Sequence, residues 1–400
     1  MSGSINMSWL RHARNTVGEG RLELAGAAFL LLLALLVFFW PAVFNGRVLL
    51  PADLIFDLDP LWRPLAPEGY AGPSNSLLAD QVYQFHPWKA FARRSIARGQ
   101  LPLWNPYTDG GVPFVGNAQS AVFSPFNLVS YLLPLYPSYV IIAIFRLFVA
   151  GVFTFLFARE IGVRPFGALL AMMTFTFSGP MVVWLGHPHS FVIVWLPAIL
   201  FTTERALVRR DARYVAASGL LIAAQFLGGH PETSFHVILV WLVYSLYRVA
   251  SVEGWHLSRW LSSLSRICAM ALSGILVAAI QLLPFAQALF HSATLSARTS
   301  EAAPDALLSL TRLFLDWHRW PTVITAVLPQ YFGTSLDDSY WFPYSNYVEQ
   351  NAYVGVLPLA LATVTVVRNL RPPFSSKRNW VLLFALVALV CLGVALHIPG

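Results

Sequence analysis

Charge is scarce in this chain. Only 11% of its 400 residues are Asp, Glu, Lys or Arg, where a soluble domain carries about 25%. That excludes an ordinary soluble globular protein. Cysteine is scarcer still: Cys268 and Cys391 are the only two. Both fall inside hydrophobic runs, so no disulfide framework and no CxxC metal site can be built. Also missing are a P-loop, a GxGxxG following a strand, a GxSxG elbow and an HExxH helix, which argues against a nucleotide-driven motor, a serine hydrolase of that type and a zincin.

Apolar residues are abundant. They make up 57% of the chain, the mean hydropathy is +0.61, and runs near 20 residues recur, each long enough to cross about 30 Å of hydrocarbon. A β-barrel would show short alternating segments instead. The fold class is therefore an all-α polytopic membrane protein with about nine transmembrane helices. They are expected over about 24–44, 138–158, 166–185, 191–207, 214–227, 235–247, 267–290, 353–367 and 380–397. Residues 1–23 form an N-terminal segment and 24–400 one transmembrane domain. Two long loops, at about 45–137 and 291–347, are expected to hold interfacial helices. The chain stops abruptly after a span, at His397-Ile398-Pro399-Gly400, and is expected to continue beyond residue 400.

The net charge of +7 lies in short clusters between spans, the pattern that sets membrane orientation, and not in a nucleic-acid-binding stripe. The clusters are Arg11, Arg14 and Arg21; Arg159 and Arg164; Arg205, Arg209, Arg210 and Arg213; Arg248, Arg259 and Arg266; and Arg368, Arg371, Lys377 and Arg378. A cytoplasmic N-terminus puts all of them inside, and leaves both long loops and two His-Pro turns on the outer face.

Leu78–Leu128, between the first two spans, is too polar and too rich in Pro and Gly to cross a bilayer, yet dense in aromatics. Asp80 opens it, followed by Tyr83, Phe85, His86 and Trp88. A carboxylate held among aromatics at a membrane surface can take a proton from an attacking hydroxyl. Asp53, in PADLIFDLDPLW with Asp57 and Asp59, is the second candidate because it directly follows the first span. Arg146 is the costliest residue, about 2.5 kcal/mol or more at mid-membrane. It snorkels, pairs with an acid, or binds a lipid phosphate through its bidentate guanidinium.

Two stretches echo each other. Gly186-His187-Pro188-His189-Ser190-Phe191 is similar to Gly229-His230-Pro231-Glu232-Thr233-Ser234-Phe235, each at a hairpin tip, so the two turns are expected to converge on one cavity. His187, His189, His230, Glu232 and His236 could bind a phosphate, sugar hydroxyls or a divalent metal. The second long loop adds Arg298, Arg312, Asp316, His318 and Arg319, with the aromatic run Tyr340-Trp341-Phe342-Pro343-Tyr344. These groups suit a sugar phosphate or lipid headgroups.

GQLPLWNPYTDGGVPFVGNAQSAVFSPFNL, Gly99 to Leu128, the acidic-aromatic stretch before it and the GHPETSF turn resemble YfhO-type bacterial membrane proteins, regarded as relatives of the GT-C glycosyltransferases. The resemblance implies a multi-spanning enzyme of the bacterial inner membrane. It would move a sugar from a polyprenyl-phosphate carrier to an envelope glycan or lipid acceptor on the outer face. Asp80 matches the place of the first-loop acid that serves such enzymes as base. Trp88, Trp104, Asn105, Asn117 and Gln119 join Arg146, His187, His189, His230 and Glu232 as substrate-binding candidates. The acidic pair of metal-dependent members has no match here, since His187 and His189 stand in that loop. A divalent metal (Mg or Mn) is the one cofactor left open. The rival readings are a transporter or flippase of a lipid-linked substrate and a non-catalytic scaffold.

Overall fold

Proline and glycine set where the helices of this chain begin and break. The computed structural model describes residues 7–73, 75–253, 256–293, 295, 317–337, 339–343, 346–370, 372 and 378–397. Helix α1 (Met7–Phe38) runs into a short turn, α2 (Trp40–Val43), whose Pro41 sits in its first turn. The loop that follows carries α3 (Ile55–Leu58), a π-type turn over Gln81–Phe85, α4 (His86–Ala97), a two-residue hairpin and α5 (Pro125–Tyr131). Then come α6 (Leu135–Glu160), α7 (Pro165–Thr176), α8 (Gly179–Val183), α9 (Pro188–Ile193), α10 (Leu196–Arg209) and α11 (Ala212–Phe226). The last are α12 (Pro231–Glu253), α13 (Leu257–Phe290), α14 (Val356–Asn369) and α15 (Arg378–His397). Pro lies in the first turn of α5, α7, α8, α9 and α12, where its missing N–H costs no intrahelical bond. This explains why a Gly-His-Pro sequence recurs at helix starts.

Among the described residues, five helical segments are long and apolar enough to cross a membrane: Gly20–Phe38, Leu135–Glu160, Pro188–Arg209, Pro231–Val252 and Leu257–Phe290. The other apolar segments form shorter helices among the described residues, so a count of nine crossings is not shown. The expected third span, for example, breaks at Phe177 and Ser178 into α7 and α8.

Packing follows the sequence period. The buried residues of α6 fall at Ser138, Ile142, Arg146, Ala150 and, one residue on, Ala143, Leu147 and Gly151, one face of a 3.6-residue helix. A Cβ on Gly151 would lie 2.5 Å from Leu31 and 2.6 Å from the Thr176 hydroxyl, so only glycine lets α1, α6 and α7 meet there. Leu31, Leu147, Met172, Ile199, Leu207, Trp241 and Tyr244 are fully buried at the centre. Phe29, Leu220, Leu276, Leu283 and Leu361 lie exposed on the outside, an apolar belt that suits lipid rather than water.

The first loop folds as a cap. Its strands β1 (Trp104–Asn105) and β2 (Val112–Pro113) pair antiparallel, Trp104 opposite Pro113 and Asn105 opposite Val112. Ala92, Phe114, Val115 and Val122 form its own small core, with Trp88 and Phe91 packed on it. At the other end of the bundle several residues of the basic clusters are paired. Arg159 meets Glu23 at 2.9 Å, and Arg205 and Arg209 share Glu160 at 2.8 and 3.1 Å. Buried Glu204 takes Arg248 and, at 2.7 Å, the Tyr244 hydroxyl. Of the expected second-loop groups, Arg298, Arg312, Asp316 and Tyr344 lie outside the described residues, as do Arg371 and Lys377 and the side chains of Arg11, Arg14, His318, Arg319 and Arg378.

Candidate functional site

Where the cap meets the helices, at the His-Pro end, two cavities share a wall made by Phe85, Gln119, His187 and Pro188. The first has a volume of about 520 Å³ and lies between α1, α4, α6 and the turn before α9. Arg47, Lys89 and Arg146 line it, and no Asp or Glu does among the described residues. Arg146 is only 3% exposed. Its Nη2 donates to the Leu185 carbonyl at 2.6 Å, and its guanidinium lies 3.8 Å over the Phe191 ring, a favourable cation–π distance. Nε and Nη1 are buried with no hydrogen-bond partner among the described residues. The snorkelling alternative therefore fails, because the α6 register turns Arg146 inward.

Lys89 enters the same cavity from α4, with Nζ 4.2 Å above the Tyr139 ring. Burial, helped by repulsion from Arg146 and Arg93, brings its ammonium down to a pKa of about 7. Next to it, His86 Nδ1 and the Tyr139 hydroxyl are hydrogen-bonded at 2.8 Å. Nothing in the local sequence marks Lys89. Its place depends on how the cap docks against α6.

The second cavity, of about 990 Å³, has the opposite character. Asp80, Glu232 and Glu349 line it together with His187, His189, His230 and His236, and no Lys or Arg does among the described residues. Asp80 sits at the head of the π-type turn and accepts from Gln84 Nε2 at 3.2 Å. His187 occupies the residue before α9 and is 5% exposed. Burial depresses its pKa to about 4, against the pull of Asp80. His230 Nδ1 accepts from the Thr233 N–H at 3.2 Å, capping the start of α12. Its pKa is likewise lowered by burial, with Glu232 opposing. The two echoed turns do converge: His189 is sandwiched between Trp184 at 3.8 Å and His230 at 3.7 Å.

Of the sequence candidates, Asp80, His187, His189, His230, Glu232 and Gln119 meet around the second cavity, and Arg146, Trp88 and Gln119 around the first. Asp53, Trp104, Asn105 and Asn117 line neither. Asn105 Oδ1 accepts from the Tyr107 N–H at 3.1 Å and Asn117 Oδ1 from the Ser120 N–H at 2.8 Å, both turn-holding bonds. The candidate divalent metal does not fit the histidines as arranged. Among the described residues no three His, Cys, Asp or Glu side chains group as an ion's shell, and the His189 ring packs between Trp184 and His230.

The fold and these cavities define a helical membrane protein with a cationic and an acidic chamber side by side at one end of its bundle. A family model described as bacterial membrane protein YfhO matches residues 69–397. The chain belongs to that family. The match takes in Asp80, Lys89, Arg146 and both His-Pro turns but begins after Asp53. No curated protein and no solved structure matches the chain.

Proposed function

We propose that the protein is a glycosyltransferase of the bacterial inner membrane, moving a sugar from a polyprenyl-phosphate carrier to an envelope acceptor on the outer face. The observation that carries this reading is the charge separation between two cavities with a common wall: Arg47, Lys89 and Arg146 on one side, Asp80, Glu232 and Glu349 on the other. A phosphate ester suits the first and a hydroxyl acceptor the second, so the sugar would bridge the shared wall. In the transfer, Asp80 takes the proton of the acceptor hydroxyl as its oxygen attacks the anomeric carbon. The bond from that carbon to the phosphate oxygen breaks, and its electron pair stays on the phosphate. Arg146 and Lys89 stabilise that charge in a partly dry site, where preorganised donors count most. In this reading the N-terminus is cytoplasmic, α7 and α8 act as one crossing and α9 and α10 as another, and α11, α14 and α15 complete nine.

A transporter of a lipid-linked substrate is the second reading. The breaks between α7 and α8 and between α9 and α10 favour it, since interrupted helices line many transport sites. A transfer assay on purified protein in lipid separates the two. It would use radiolabelled polyprenyl-phosphate sugars, a crude envelope acceptor fraction, and the Asp80→Asn and Asp53→Asn variants. Asp80→Asn should lose about 100-fold or more, the scale of a removed general base, while Asp53→Asn keeps near-normal transfer. Near-normal activity in Asp80→Asn removes it from the mechanism. Tight binding without turnover in wild type favours the transporter.

A further inference from the structure

The acid-lined cavity is deeper than a headgroup alone requires. Its polar mouth carries Asp80, His230, Glu232 and Glu349, and its wall then descends α12 through His236, Val237, Val240 and Val243. Ile193 and Leu196 line that descent, and Leu386 and Val387 of α15 flank it. Glu232 to Val243 spans about 16 Å of helix, close to half of the ~30 Å hydrocarbon thickness. Leu386 lines the cavity and is 57% exposed, and Leu242 and Leu389, neighbours on α12 and α15 that do not line it, are exposed as well. The apolar part therefore lies beside the lipid-facing belt of α12 and α15.

We infer that this cavity binds a membrane amphiphile whose head bears hydroxyls and no phosphate. Carboxylates accept hydrogen bonds from hydroxyl donors and repel a phosphate. The face of the Trp184–His189–His230 stack offers a platform for a sugar ring, and the Val and Leu walls take one acyl chain over a single leaflet's depth. The neighbouring cavity, with three cations, is the one suited to a phosphate, so the two sites sort lipids by head charge. If the transferase reading holds, on which this further step rests, the neutral amphiphile is the acceptor.

The test uses the full chain in phosphatidylcholine nanodiscs and a diglycosyl diacylglycerol with a diazirine midway along one acyl chain. After photolysis, crosslinks should map to 237–243 of α12 and 386–391 of α15. A tenfold excess of unlabelled glycolipid should cut the yield about tenfold by mass action, and the same excess of phosphatidylglycerol or of the soluble headgroup oligosaccharide should not. Leu386→Trp, which adds bulk to the wall at an exposed position, should lower the yield, and so should Val240→Trp deeper in the wall. Equal competition by phosphatidylglycerol overturns the headgroup class, and competition by the soluble oligosaccharide overturns the lipid. Crosslinks scattered over the lipid-facing helices overturn the site. Crosslinking reports binding without turnover, so a failed transfer assay beside specific crosslinks removes the transferase reading and leaves the site standing.

Discussion

The imidazole rings of His189 and His230 lie 3.7 Å apart, tilted by 30°, although they belong to separate Gly-His-Pro turns. The second turn is held against the cap by Gly229, whose φ is +91° and whose Cβ, if present, would lie 2.7 Å from the Ala118 carbonyl and 2.9 Å from Ala121. Gly229→Ala should therefore cost about 2 kcal/mol, from a left-handed backbone plus contact with an unyielding carbonyl. Gly186→Ala should cost less than half as much, because the group in its way is the flexible end of Gln81. Apparent melting temperatures in one detergent check the order. Equal shifts would mean that the cap does not dock through Gly229.

His187 makes stability depend on pH. The folded protein keeps its imidazole neutral down to a pKa of about 4, through burial and against the attraction of Asp80. The unfolded chain takes that proton near pH 6.5. The contribution is thus complete above about pH 6.5 and is lost as the pH falls toward 4, by about 3 kcal/mol in total. A His187→Gln variant should lose that contribution, and Asp80→Asn should carry the loss to lower pH by removing the opposing charge. Melting temperatures measured from pH 7.5 to 3 read both effects.

How much of this was legible in the sequence differs residue by residue. Helices were, because a membrane crossing must satisfy its backbone internally and be apolar throughout. Arg146 was, because a guanidinium among apolar residues needs a reason, and its spacing from Ser138, Ile142 and Ala150 gives its face. The His-Pro echo was legible too, since the motif marks two helix starts that can meet. Lys89 was not: its partners on α6 lie about fifty residues away, and the sequence does not say how the cap docks. Arg205 and Arg248 looked like orientation signals. Their acids, Glu160 and Glu204, lie 45 and 44 residues off, a separation no local pattern reports. Asn105 and Asn117 could have been ligands or turn formers, and local composition is the same for both.

Lys89 should make anion binding titrate near neutrality. With the ammonium brought to about 7 by burial and by Arg146 and Arg93, the cavity gains a charge as the pH falls from 8 to 6. Binding of a short-chain prenyl phosphate should tighten across that window, and Lys89→Gln should bind more weakly with a flatter profile. The measurement is calorimetry or tryptophan quenching at several pH values. An unchanged slope in Lys89→Gln would place the titrating group elsewhere, with His86 the next to test.

Arg146 separates binding from stability. A structural arginine is destabilising to remove, because its partners are left unpaired. Among the described residues Arg146 has one hydrogen-bonded carbonyl, that of Leu185, and one ring, that of Phe191, while no acid lines its cavity to offset the burial of its charge. Replacing it with Met fills much of the volume and removes that uncompensated charge, at the cost of the charge-assisted Leu185 bond, about 1.5–3 kcal/mol. Arg146→Met should therefore melt at or above the wild-type temperature while prenyl-phosphate binding falls by about tenfold or more, the scale of a lost charge-assisted contact. Arg146→Lys should recover part of the binding, since an ammonium keeps the charge without the fork. A variant that melts much lower and still binds would show that Arg146 is there for the fold.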